Sequence, residues 1–142
     1  MRERALSPLV AGVDVSEVTV RQASRRNQWL IRNGRVALSR ASVSVLPYED
    51  ARFSKACAIN SFHHWPEPEE GLRETRRVLR TGGILMLGLR LEQPKPRRFA
   101  APGYSPAEID RIQTLLRRVG FHHGRTEFVR AGREVAFVIA SR

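Results

Sequence analysis

The chain has 142 residues, 42% of them hydrophobic, which suits one globular domain with its own core and argues against a disordered chain. No stretch approaches the roughly 18 apolar residues of a membrane span, Met1-Arg2-Glu3-Arg4 opens no signal peptide, and a single cysteine, Cys57, forms no internal disulfide, so the cytosol is the expected compartment and no membrane partner is expected. The formal charge of +11 rests on 25 basic residues, all arginine except Lys55 and Lys95. Their scattered pairs, Arg25-Arg26, Arg76-Arg77, Arg97-Arg98 and Arg117-Arg118, predict solvated helix faces rather than the aromatic-interleaved stripe of a nucleic-acid binder.

Residues 1–8 read as a helix tail and a turn stopped by Pro8. Leu9–Asp14 is an apolar strand fit for a central place in a parallel sheet. Ser16 then caps a helix running to Asn33-Gly34, with Val20, Ala23, Leu30 and Ile31 near one face. Val36–Ser42 is a short strand, and Leu46–Asp50 a turn. Phe53–Asn60, with the run Ala56-Cys57-Ala58-Ile59, is predicted to be a buried strand, with Cys57 a small core residue. The loop Ser61-Phe62-His63-His64-Trp65 leads to a helix over about Glu69–Arg80, which buries Leu72, Val78 and Leu79 and ends at Gly82-Gly83. Ile84–Leu91 is the strongest strand.

Residues 93–104 form a Pro- and Arg-rich connector, read as exposed. Every local signal then agrees on a helix: Ser105 caps, Pro106 sits at N1, and Glu108 at N3 completes a capping box. Ile109, Ile112, Leu116 and Val119 recur at helical spacing, and Gly120 closes the element. Arg125–Val129 and Glu134–Ala140, joined by Ala131-Gly132-Arg133, make an antiparallel hairpin. The fold class is α/β, one domain over residues 1–142 with helices on the faces of a mostly parallel sheet. His63-His64 lacks the companion ligands of a metal site, His122-His123 reads as solvated, and Trp29 and Trp65 are assigned to packing.

Four stretches carry a resemblance: Gly12-Val13-Asp14-Val15-Ser16, Leu46-Pro47-Tyr48 before Phe53, Asn60 with His63-His64-Trp65, and Leu72–Gly83. In their order and spacing across residues 9–91 they resemble the class I S-adenosylmethionine-dependent methyltransferases, in the small-molecule, type 11-like branch whose members include enzymes that methylate quinone rings. The resemblance implies a Rossmann-like seven-stranded sheet in the order 3-2-1-4-5-7-6, its last strand antiparallel. It also implies S-adenosylmethionine as cofactor and a small-molecule methyl acceptor. By resemblance Asp14 binds the ribose hydroxyls and Val15 packs on the adenine. Ser42 and Val43 border its amino edge, and Asn60 and Ser61 lie near the methionine moiety. The loop with His63, His64 and Trp65 faces the acceptor, His63 and His64 being the candidates for a catalytic base.

The sequence departs from that family in three places. The glycine-rich cofactor loop belongs roughly 20 residues before the ribose acid, whereas only 13 residues precede Asp14 and Gly12 is the one glycine among them. A first strand, that loop and most of a first helix are therefore read as absent. Ser42 stands where an acidic residue is usual, and Ser54 where an Asp is common. The absent strand leaves edges that invite a second copy or a partner chain to complete the sheet. Two other functions stay open, a non-catalytic remnant acting as an interaction protein and a basic nucleic-acid-binding module.

Overall fold

The structure is a computed structural model that describes residues 10–93, 103–130 and 134–142, His123 by its backbone alone. The readings at residues 1–9, at 94–102 of the connector and at the 131–133 link lie outside the described residues. The chain forms two compact units, divided after Pro47.

The first unit is a β-α-β crossover. Strand β1 (Val10–Asp14) lies parallel to β2 (Val36–Arg40), with Val10 opposite Val36 and Asp14 opposite Arg40. Between them runs α1 (Glu17–Arg26), capped as expected by Ser16, whose hydroxyl accepts from the Thr19 amide at 3.2 Å. The expected single helix divides at Asn27, where the backbone leaves helical geometry at φ −111°, ψ 18° before α2 (Gln28–Arg32). Trp29 does not pack: it is 70% exposed. Among the described residues β1 pairs with β2 alone, so its expected central position is not met within this unit.

The second unit is a four-stranded sheet in the order β3-β4-β6-β5, made of β3 (Phe53–Ile59), β4 (Leu79–Arg90), β5 (His122–Arg130) and β6 (Glu134–Ser141). β3 and β4 are parallel, and β6 is antiparallel to both β4 and β5. Translated into the expected strand numbering, the two sheets read 3-2 and 4-5-7-6, the two ends of the family order. Helices α3 (Pro68–Val78) and α4 (Pro106–Arg118) bury one face of this sheet. There Leu85, Leu87 and Leu89 stand opposite Ala140, Val138 and Ala136, large against small, and all six are buried. Leu72, Ile109, Ile112, Leu116 and Phe121 complete that core.

Two expectations fail here for tertiary reasons. The apolar run of β3 is not buried on both faces. Ala56 and Ala58 pack on the core, while Lys55, Cys57 and Ile59 on the alternate face are exposed, so Cys57 is an accessible thiol. The Gly82-Gly83 turn does not precede the strand but lies inside it. Phe53 pairs with Leu79 and Lys55 with Ile84, so residues 80–83 bulge out of register, and Gly82 takes the left-handed φ of 74°. The C-terminus clamps that bulge: Gly82 N donates to the Arg142 carbonyl and Arg142 N to the Gly83 carbonyl, both at 2.8 Å. The capping box at Ser105 and Glu108 forms in full. No helix among the described residues is long and apolar enough to cross a membrane.

Candidate functional site

In the first unit the carboxyl ends of β1 and β2 gather four of the candidate residues. Asp14 closes β1, and its carbonyl accepts from the Ala41 amide at 3.1 Å, which fixes the two strand ends side by side. One carboxylate oxygen, Oδ1, accepts from the Ser16 amide at 2.7 Å, and no described residue donates to the other. Val15 follows with its side chain 64% exposed. Beyond β2, Ser42 and Val45 form a tight bridge in which Ser42 Oγ accepts from the Ser44 amide at 3.2 Å. Val43 sits within this turn, and the Ser44 hydroxyl is buried with no hydrogen-bond partner. A buried, unpaired hydroxyl is costly, so Ser44 marks a place where a polar ligand edge would be satisfied. Sequence reasoning stopped one residue short of it, at Val43.

In the second unit Asn60 ends β3 in the left-handed region, φ 51°, and its amide donates to the Gly88 carbonyl at 2.9 Å. That conformation is unusual for a residue with a Cβ and turns the chain sharply out of the sheet. Ser61 follows, its carbonyl accepting from the His64 amide at 2.9 Å. A single 3-10 turn (Phe62–His64) then buries Phe62 and leaves His63 and His64 exposed. Trp65 packs as expected, its ring 4.9 Å from that of Phe62. The two imidazoles lie 3.8 Å apart, and the Tyr104 ring stands edge-on to His63 at 6.5 Å.

Tyr104 was not legible as a site residue. It reaches the imidazoles because it is bridged to Leu91 at the end of β4, its amide donating to the Arg90 carbonyl at 2.8 Å. Gly103 permits that approach, since a Cβ there would collide with the backbone of Leu91 and Glu92. The one available signal was an aromatic residue immediately before the strongest helix start in the chain. Lost hydration, with the His64 ring and the Arg90 guanidinium close by, holds the His63 imidazole below its ordinary value of 6.5, so it is neutral at pH 7. Burial, aided by the Glu108 carboxylate, raises the Tyr104 phenol above its ordinary value and keeps it a hydrogen-bond donor.

A family model described as "Methyltransferase domain" matches residues 2–87, more than half of the chain. The chain belongs to this methyltransferase family. It is 34% identical over 122 residues to the 27-O-demethylrifamycin SV methyltransferase of Amycolatopsis mediterranei, covering 79% of this chain and 45% of that protein. It is 30% identical over 122 residues to the O-methyltransferase resE of Aspergillus sclerotiorum, covering 79% and 46%. Among solved structures it is similar to a SAM-dependent methyltransferase from Aquifex aeolicus (TM-score 0.74, 22% identity, 92% of this chain and 66% of that one). A [4+2]-cyclase, SpnF, is equally similar (TM-score 0.74, 22% identity, 93% and 66%), so the fold by itself does not dictate methyl transfer. The chain thus spans less than half of the two curated relatives. S-adenosylmethionine is the cofactor of this methyltransferase family, and the first unit fits it: an acceptor oxygen at Asp14, an unpaired hydroxyl at Ser44 and an exposed apolar side chain at Val15 suit a diol, an amino edge and a flat ring respectively.

Proposed function

We propose that this chain serves S-adenosylmethionine-dependent methyl transfer to an oxygen of a small-molecule acceptor. The observation that carries the reading is Asp14, a strand-end carboxylate with one oxygen held by the Ser16 amide and one left for a ligand, in a chain of this family. The names of two relatives, both oxygen-directed, support the choice of a hydroxyl acceptor. When bound, the cofactor supplies an electrophilic methyl group. The protein's contribution is mainly alignment, because in-line displacement at carbon requires the acceptor held at attack distance rather than covalent catalysis.

Asp14 accepts hydrogen bonds from the ribose hydroxyls, and Val15 covers the adenine face. Ser42 and Val43, with Ser44 added by its unpaired hydroxyl, line the amino edge. Asn60 and Ser61 flank the methionine end. His63, neutral at pH 7, takes the acceptor's hydroxyl proton, with His64 packed against it. We also infer that the open edges of β1 and of β3 each accept a further strand, of the kind a second copy or another chain would supply, because each has one hydrogen-bonded neighbour among the described residues.

Calorimetric titration of S-adenosylhomocysteine into the chain, after far-UV CD establishes folding, tests the reading. Micromolar binding that is lost in Asp14→Ala supports it. A folded chain that binds nothing overturns it and leaves a non-catalytic family member.

A further inference from the structure

The helical segment of the first unit has two unlike faces. Val20, Ala23, Leu30 and Ile31 are half-buried. The outer face carries Val18, Arg21, Gln22, Arg25, Arg26, Trp29 and Arg32, all exposed, with Val18 at 51% and Trp29 at 70%. Trp29 stands one turn beyond Arg25 and Arg26 and one turn before Arg32, spacings that make neighbours on a helix surface. Helical hydrogen bonding passes through the bend: Asn27 N donates to the Ala23 carbonyl at 3.1 Å and Ile31 N to the Asn27 carbonyl at 3.0 Å.

These four arginines cluster on one exposed helix face that carries no acid. On α3 and α4 part of the cations are answered by acids of their own unit: Arg73 pairs with Glu69 and Glu70, Arg77 with Glu74 and Asp50, and Arg118 with Glu69, while Arg76, Arg111 and Arg117 enter none of the ion pairs among the described residues. None of the ion pairs among the described residues includes Arg21, Arg25, Arg26 or Arg32. Residues 10–47 hold six arginines and two acids, Asp14 and Glu17, and Glu17 already lies 3.9 Å from Arg40. Among the described residues of this unit no acid pairs with this face.

We propose that the outer face of α1 and α2 docks on an anionic phospholipid surface, with Trp29 and Val18 entering the headgroup boundary and Arg21, Arg25, Arg26 and Arg32 meeting the phosphates. A single-stranded nucleic acid asks for successive aromatic platforms along a charged groove. A convex helix with one indole, an aliphatic neighbour and a ring of guanidiniums is instead the combination of an interfacial helix. Attachment of this kind needs no membrane-crossing helix.

Cosedimentation with phosphatidylcholine vesicles, with and without phosphatidylglycerol, tests the proposal. The full chain is expected to bind only the anionic vesicles and to be released by salt. R25Q/R26Q is expected to weaken binding about thirtyfold, at roughly fivefold per arginine, while the charge-matched α4 variant R111Q/R117Q leaves it unchanged. Tryptophan emission is expected to shift to the blue on binding and to lose that shift in Trp29→Phe. No binding to anionic vesicles, equal loss in both double variants, or tighter binding to a thymidine oligonucleotide at the same salt overturns the proposal, the last in favour of a nucleic-acid surface.

Discussion

At Asp14 a strand end, a neighbouring strand and a helix cap converge. The Ala41 amide holds its carbonyl, the Ser16 amide holds one carboxylate oxygen, and Ser16 in turn caps α1. Asp14→Asn keeps an acceptor for Ser16 but removes the charge. Hydrogen bonds to charged acceptors contribute about 1.5–3 kcal/mol, so S-adenosylhomocysteine affinity in this variant is expected to fall about tenfold to a hundredfold while the CD spectrum is retained. His63 offers a second residue-scale check. A histidine below its ordinary 6.5 is neutral above that pH and becomes charged only further into acid. A methylation rate that depends on it therefore declines as pH falls below 6.5, not above it. Proton NMR titration is expected to find His63 below the ordinary value, and Arg90→Gln to move it upward. A His63 that is still charged at pH 7 would remove the neutral base from the mechanism.

At the scale of elements, α4 is the helix that sets the position of Tyr104. Its N-terminal box draws the Ser105 amide and hydroxyl to Glu108 Oε2 at 2.7 and 2.8 Å, and these bonds lower the Glu108 carboxyl below its ordinary value. Tyr104 precedes this box directly, so the helix start also sets the ring beside His63. Ser105→Ala is expected to cost about 1 kcal/mol of stability, read as a lower midpoint in urea with an unchanged m-value. Where α3 meets α4, Glu69 takes hydrogen bonds from Arg73 and from Arg118 across the interface, which hold its carboxyl below the ordinary range. Such exposed pairs orient the helices more than they stabilise them; the buried Leu72, Leu116 and Phe121 supply the driving force.

At the scale of the whole molecule, the edges of the two sheets invite further strand pairing. β3 presents Lys55, Cys57 and Ile59 to solvent on the face turned from the core and has only β4 beside it among the described residues. If a second copy pairs there, the Cys57 thiol becomes shielded as concentration rises. The expected result is a rate of reaction with a water-soluble disulfide reagent that falls with protein concentration, alongside a rise in mass by light scattering. A monomer at all concentrations with a constant thiol rate would reject self-pairing.

Local chemistry was readable in the sequence wherever one residue type answers one backbone need. The Ser16 cap, the Ser105–Glu108 box, the Gly120 stop and the helical spacing of Ile109, Ile112 and Leu116 all follow from rules that act within one or two turns. The order of strands and the family were legible too, because Asp14, Asn60 and the Leu72–Gly83 stretch keep their spacing whatever packs around them. Cys57, Trp29 and Tyr104 were not. Burial depends on which face of a strand or helix meets another element, and an apolar run in β3 or an indole in α2 looks the same in sequence whether covered or bare. Tyr104 joins His63 only because β4 and the segment before α4 are hydrogen-bonded side by side, a long-range pairing that no local pattern encodes. Ser44 became visible as a binding feature only once tertiary structure buried its hydroxyl and left it without a partner.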